Sequence, residues 1–349
     1  MELLDSPMQK EDYIQDLLHQ EKVQSLLSKL DDFGPITTVD NRTLNAIHKG
    51  AGLEGYAAKL LEYGLTKDIA PFHKRMMTFR QYVHNKWVEA AKTSQAGQDV
   101  RNNWAMFIAK LLSSYLVQAG YRYPDLVAFV ERRTEALYRN AREKNFDVYY
   151  SQSELQKMPT RPPNWRNTPV LRAEYDPGGN EKPMPNIWDI YTLAFFPDDC
   201  KSVMLQEQIR AIIAYVLDER FQALPWGYGL LFFNENRRYY ACGWSPRLPG
   251  LHGFDDPLDQ GTLLLYTDLM SHFEEARKSA WFRRCLEHLE TFKTETGTYC
   301  FPKNYIQEKK DQGFVCGASM GLGEDRRRKI ALEIESTFRM LLIKKRITM

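Results

Sequence analysis

The chain has 349 residues, 43% of them hydrophobic and 13% aromatic, which is enough apolar content to bury a large core, so disorder is not the expected state. Forty-seven basic against forty-five acidic residues leave a formal charge of +2. No global field therefore draws the protein onto nucleic acid or an anionic membrane, and a charged partner must be sought in local patches.

The opening "MELLDSPMQKEDYIQDLLHQEK" is acidic and amphipathic and predicts one or two helices rather than a secretory signal, over a first segment 1–45. No window approaches ~18 uninterrupted apolar residues, so no membrane span is expected. Over 46–148 the apolar residues recur at helical spacing. In "GLEGYAAKLLEYGL" they are Leu53, Tyr56, Ala57, Leu60, Leu61 and Leu65, with Gly64 as the stop. "DIAPFHKRMMTFRQYVHNKW" follows as the second arm of a hairpin. The same grammar returns in "NWAMFIAKLLSSYLVQAGY" and "PDLVAFVERRTEALYRNAR", where Gly120 stands where Gly64 stood.

Residues 149–186 interrupt the pattern with seven prolines and an adjacent glycine pair. This span is too long for an ordinary connection and too polar for core, so it predicts a surface crossover, with Trp165 and Leu171 as its ordered contacts, or else a domain linker. Helical hairpins resume over 187–349. "PNIWDIYTLAFFPDD" pairs with "VMLQEQIRAIIAYVLDERFQ", and "GTLLLYTDLMSHFEEARKS" with "AWFRRCLEHLETFKTETGTY". The last helix, "DRRRKIALEIESTFRMLLIKKR", gathers Ile330, Ile334, Thr337, Phe338 and Leu341 on one apolar face. Internal similarity at a period of ~50 to 70 residues predicts a helical repeat in which each hairpin buries its apolar side against its neighbours.

The five cysteines, Cys200, Cys242, Cys285, Cys300 and Cys316, are odd in number and form no C-x-x-C pair, which predicts reduced thiols and a cytoplasmic protein. Two of them share a context: "YYACGWS" and "GFVCGAS" both hold an aromatic residue, then Cys-Gly-x-Ser. A cysteine among aromatics is more often a small buried hydrophobe than a nucleophile, so the doubled motif predicts a structural corner, with Gly243 and Gly317 where backbones come close.

The run "YVLDERFQALPWGYG", and more weakly "HLETFKTETGTY", resembles the helix-Gln-turn-Gly-aromatic repeat of the terpene cyclase and protein prenyltransferase β-subunit superfamily. Gln222, Gly227, Tyr228, Gly297 and Tyr299 carry the match, over roughly residues 186 to 346. The resemblance implies an all-α fold closed as an α/α toroid, a single domain around a central cavity. Trp188, Tyr191, Tyr228, Tyr240 and Trp244 are the expected aromatic lining, and Glu335 with Arg339, four apart on the last helix, would form either a polar pair in that cavity or a surface ion pair.

The chemistry is less defined. The Asp-x-Asp-Asp acid of class II cyclases does not occur in this chain. "PDDCKS" sets Asp198 and Cys200 at the spacing with which protein prenyltransferases hold zinc, with His272 or His288 as the distant ligand, although Asp198 and Asp199 equally suit a helix start. "DDPLD" offers Asp255, Asp256 and Asp259, resembling the magnesium motif of class I prenyl synthases, with Thr267, Ser271 and Glu275 on one following helix face. An acidic loop leading into a helix is the competing account. "GASMGLGEDRRRK" sets Gly317, Gly321 and Gly323 before Arg326, Arg327, Arg328 and Lys329, an arrangement for an anion or simply a solvated basic face.

Two functions of different class follow. One is a prenyltransferase-like or cyclase-like protein that takes an apolar or prenyl-like ligand into an aromatic cavity, assisted by zinc or magnesium or by neither. The other is a non-catalytic helical scaffold for a peptide or protein partner. Nucleic-acid binding is disfavoured, because the basic residues do not extend over successive hairpins.

Overall fold

A computed structural model describes residues 7–31, 52–90, 100–306 and 329–348. Among these the chain is mostly helical, with fourteen α-helices and one two-stranded sheet, consistent with the all-α expectation. The first helices are α1 (Pro7–His19), α2 (Glu21–Asp31), α3 (Leu53–Glu62), α4 (Ala70–Ala90), α5 (Val100–Gln118) and α6 (Pro124–Glu143). After the short α7 (Gln152–Leu155) come α8 (Ile187–Phe195), α9 (Val203–Leu217) and α10 (Glu219–Gln222). A hairpin of β1 (Leu230–Phe233) and β2 (Arg238–Ala241) precedes α11 (Pro257–Met270), α12 (Glu274–Lys278), α13 (Ala280–Glu290) and α14 (Lys329–Thr348).

The helix stops lie where the glycines place them. Gly64 and Gly120 both adopt left-handed backbone, φ 89° and 87°. The residue after each donates back five positions, Leu65 N to Leu60 O and Tyr121 N to Leu116 O, both at 3.1 Å. This is the Schellman closure that satisfies carbonyls a helix end would leave orphaned. After the second stop, α6 buries Leu126, Phe129, Val130, Arg133, Thr134, Leu137, Asn140 and Ala141, a continuous stripe at three-and-four spacing.

The chain forms two compact units, interleaved in sequence. One comprises Met1–Phe79, Gln118–Gly120 and Leu248–Met349; the other comprises Arg80–Val117 and Tyr121–Arg247. In the first, α2 packs on α3, and α11 on both α13 and α14. In the second, α6 packs on α9, and the hairpin pairs Leu230 with Ala241 and Phe233 with Arg238, antiparallel.

The proline-rich span 149–186 lies wholly within the second unit, and its far end is not a surface crossover. Tyr149 bridges Leu171, Val170 bridges Leu230, and Val170, Leu230 and Tyr239 form a small core on which the half-buried Trp165 packs. Beyond it Asp176, Pro177, Gly179, Met184 and Asn186 are buried. Polar backbone can be buried when its carbonyls are satisfied, and here side chains of α5 and α6 satisfy them. Composition alone reads such a span as surface because it does not show those donors.

Candidate functional site

Five constellations carry the residues of interest. In the second unit, the matched repeat builds a corner between α9 and the hairpin. Gln222 Nε2 donates to Val216 O at 2.7 Å and to Pro246 O at 3.1 Å, tying the helix end to the strand exit. Gly227 N donates to Ser245 Oγ at 2.8 Å, and the buried Tyr228 hydroxyl to Pro185 O at 2.6 Å. Cys242 N donates to Gly229 O at 2.8 Å. Burial, with Asp176 nearby, pushes the Cys242 thiol well up, against the thiolate form a nucleophile needs.

The close approach expected of Gly243 is present, but Gly227 is the residue it constrains. A Cβ on Gly227 would lie 3.3 Å from Gly243 Cα, whereas one on Gly243 would meet nothing within 4 Å. The second copy of the corner shares part of this plan. Gly297 is left-handed at φ 87°, and Tyr299 N and Phe301 N donate to Thr337 Oγ1 and Ser336 Oγ of α14, both at 2.9 Å. Its Cys316 and Gly317 lie outside the described residues.

Of the expected cavity aromatics, Trp188, Tyr191 and Tyr228 are buried and Tyr240 and Trp244 half-buried. Trp188 meets Phe107 edge-on at 5.1 Å and Trp244 at 5.4 Å, and Trp244 meets the exposed Trp226 at 6.4 Å. Tyr191 stacks on Phe195 and Tyr240 meets Phe233 edge-on. The structure thus joins Trp188 to Trp244, in a ladder of indoles, and gives Tyr191, Tyr228 and Tyr240 separate partners.

The acidic candidates are engaged elsewhere. Asp198 is almost fully exposed and pairs with Lys201 at 2.8 Å, and Asp199 pairs with Arg122. Burial and the Asp199 carboxylate push the Cys200 thiol up. Asp256 caps α11 through Leu258 N at 2.8 Å, Asp259 accepts Gly250 N at 2.9 Å, and Asp255 is exposed. Thr267 and Ser271 hydroxyls donate to their own helix, to Leu263 O and Asp268 O. His288 Nε2 shares a hydrogen bond with Tyr305 Oη at 2.7 Å. Among the described residues, no group of three or more His, Cys, Asp or Glu is placed to hold a metal ion. The anion candidates Gly321, Gly323, Arg326 and Arg327 lie outside the described residues.

The terminal helix corrects the sequence expectation. Ile330, Ile334 and Leu341 of the apolar face, a stripe that ordinarily turns to the core, are 62%, 51% and 46% exposed. The residues turned inward include Glu335, Ser336 and Arg339, at 1%, 0% and 4%. Arg339 pairs with Glu62 of α3, and Ser336 and Thr337 serve the backbone of residues 299 to 301. Polar needs of neighbouring elements thus decide the rotation of α14, which a helical-wheel argument does not include.

The fifth constellation matches no motif read from the sequence. In the second unit, Arg133 holds Asp189 with two bonds, Nε to Oδ1 at 2.8 Å and Nη2 to Oδ2 at 2.7 Å, and donates to Gly179 O and Pro177 O, both at 2.9 Å. Asp189 Oδ2 also accepts Asn186 N at 2.9 Å, and Asn186 Oδ1 accepts Asp189 N at 3.0 Å, a reciprocal cap on α8. Lys110 of α5, 3% exposed, donates from Nζ to Gly178 O at 2.7 Å and Pro177 O at 3.1 Å, with Gly179 O at 3.4 Å. Lys110, Arg133, Asp189, Thr134 and Thr192 line a recess with Phe129, Val130, Leu137 and Leu193, with room for about one water molecule. The available signal was the single lysine in the apolar run Ile108 to Leu112, within a stretch buried from Ile108 to Val117.

No family model, curated protein or solved structure matches this chain.

Proposed function

We propose that the protein binds an apolar ligand of prenyl or acyl type against the outward stripe of α14, its helical hairpins arranged as an α/α toroid. The supporting observation is the exposure of Ile330, Ile334 and Leu341, with Phe338 half-buried between them. They stand at i, i+4, i+8 and i+11, one side of a helix, over about 16 Å at 1.5 Å per residue. Exposed large apolar residues gathered on one element mark a binding surface more often than scattered ones do. The repeat-like corner at Gln222, Gly227 and Tyr228 supports the toroid, through its resemblance to the cyclase and prenyltransferase superfamily.

A second reading, a scaffold for an apolar peptide or protein segment, is favoured by Val203 and Met204 at the start of α9 and by Trp226, at 73%, 65% and 60% exposure. Native mass spectrometry of the purified protein, with displacement of a fluorescent farnesyl probe, separates the two. A co-purifying lipid, or saturable probe binding lost in Ile334→Asp, supports the ligand. Probe binding unchanged in Ile334→Asp excludes the stripe as its site, and binding confined to an apolar peptide supports the scaffold.

A further inference from the structure

Three indoles run from the core of the second unit to its surface. Trp188 is 1% exposed, Trp244 is half-buried and Trp226 is 60% exposed. Trp188 meets Trp244 with ring centroids 5.4 Å apart and planes at 66°, and Trp244 meets Trp226 at 6.4 Å and 73°. Both separations lie in the range of direct aromatic contact, so successive rings touch without a spacer.

The middle ring sits on a strained backbone. Trp244 has φ 67°, in the left-handed region that a bulky residue rarely adopts. Its carbonyl accepts Ile187 N at 2.9 Å, and the next residue, Ser245, accepts Gly227 N at 2.8 Å. These two bonds fix the strained residue between α8, which carries Trp188, and the turn that carries Trp226. Strain of this kind persists where the surroundings over-determine it, and it gathers at functional positions. Here it sets one indole against two others.

We propose that Trp188, Trp244 and Trp226 form a relay that carries an oxidising equivalent from the core to solvent, where an aqueous thiol repairs it. A one-electron oxidant of the peroxyl-radical class takes an electron from Trp188 and a proton from solvent, and becomes a hydroperoxide. Trp244 then supplies an electron to the Trp188 radical cation, and Trp226 supplies one to Trp244. The Trp226 radical cation gives its Nε1 proton to water. The thiol returns a hydrogen atom to that nitrogen and leaves as a thiyl radical, with all three indoles restored. Burial sets the direction: a positive charge costs more in the core than in water, so the electron vacancy is lowest in energy on the exposed Trp226.

The test illuminates the folded wild-type protein with ultraviolet light in air, so that photoionisation moves an electron from indole to dioxygen whatever the burial, and maps oxidised tryptophan by peptide mass spectrometry. Trp281 is the internal control, because it is 5% exposed and, among the described residues, its aromatic contact is Phe282 rather than an indole. Trp188 is expected to oxidise about tenfold less than Trp281, the ratio that ~1.4 kcal/mol of desolvation supplies, with the product at Trp226. Trp244→Phe, checked for its fold by circular dichroism, should raise Trp188 to the level of Trp281. Trp226→Phe, at an exposed position, should move the product to Trp244, and an added alkyl thiol should lower the Trp226 yield in the wild type. Equal oxidation of Trp188 and Trp281 in the wild type, a Trp188 yield unchanged in Trp244→Phe, a product that does not move in Trp226→Phe, or a Trp226 yield indifferent to thiol overturns the relay and leaves the three rings as packing.

Discussion

Gly227 and Gly243 meet backbone to backbone: a Cβ on the first would lie 3.3 Å from the Cα of the second and 3.6 Å from Cys242 O. Gly227 also has φ 70°, in the left-handed region, while its peptide N–H is committed to Ser245. The approach joins the turn after α10 to the exit of β2 and holds Trp244 next to Trp188. Gly227→Ala should therefore cost about 1–2 kcal/mol from backbone strain, before any loss of contact. Gly243→Ala, whose new methyl enters open space, should stay within about 0.5 kcal/mol. Urea unfolding of both variants checks the contrast, and equal costs would mean that the corner is not built on Gly227.

Arg133 and Asp189 form a buried ion pair whose remaining hydrogen-bonding groups face the 177–179 turn and the α8 cap. Removing one partner leaves the other charge without compensation in a buried site. Arg133→Met and Asp189→Asn should each destabilise by about 3–5 kcal/mol. The double variant should cost less than the sum of the two, because the second change removes a charge already stranded. A double-mutant cycle by urea denaturation measures this coupling, and strict additivity would refute it.

Helix ends were legible in the sequence because they depend on local chemistry. Gly64 and Gly120 stop their helices through a backbone conformation that few other residues adopt, so spacing and composition suffice. The corner at Gln222 and Gly227 was legible for a similar reason, though the constrained glycine was identified only from which backbone approaches which. Side-chain roles that depend on a distant partner were not legible. Asp256 and Asp259 resemble a metal motif in one dimension, yet one caps α11 and the other holds Gly250. Lys110 and Arg133 lie 23 positions apart, and the turn they hold lies more than 40 positions beyond Arg133, so neither residue is distinctive by itself.

His288 supplies a pH-dependent contribution. Its ring stacks on Phe254 at 4.0 Å and shares a hydrogen bond with Tyr305, and burial lowers it from the ordinary 6.5 against the opposing pull of Asp255. The unfolded chain therefore binds a proton that the folded one declines. Stability from this site is present above pH 6.5 and is lost as pH falls through the lowered value. His288→Gln, which can still bond Tyr305 but does not titrate, should flatten the fall in thermal midpoint between about pH 7 and pH 5 relative to wild type. Parallel curves for the two proteins would assign the acid sensitivity to other groups.

The rotation of α14 separates two expectations for the same helix. A helical-wheel argument turns the apolar Ile334 to the core and leaves Arg339 either inside or at the surface, whereas Ile334 is 51% exposed and Arg339 is buried against Glu62. If the inward face is held by Arg339, Ser336 and Thr337, then Arg339→Met strands the Glu62 carboxylate and should cost about 3–5 kcal/mol, the range for breaking a buried pair. Ile334→Asp changes a solvent-facing side chain and should move stability by no more than about 0.5 kcal/mol, apart from a small helix-propensity cost. The order of these two losses, read from urea midpoints, tests the rotation directly. It also determines what any ligand effect of Ile334→Asp means. If that variant keeps its fold yet releases a farnesyl probe, the stripe contributes to binding, because loss of structure no longer explains the release.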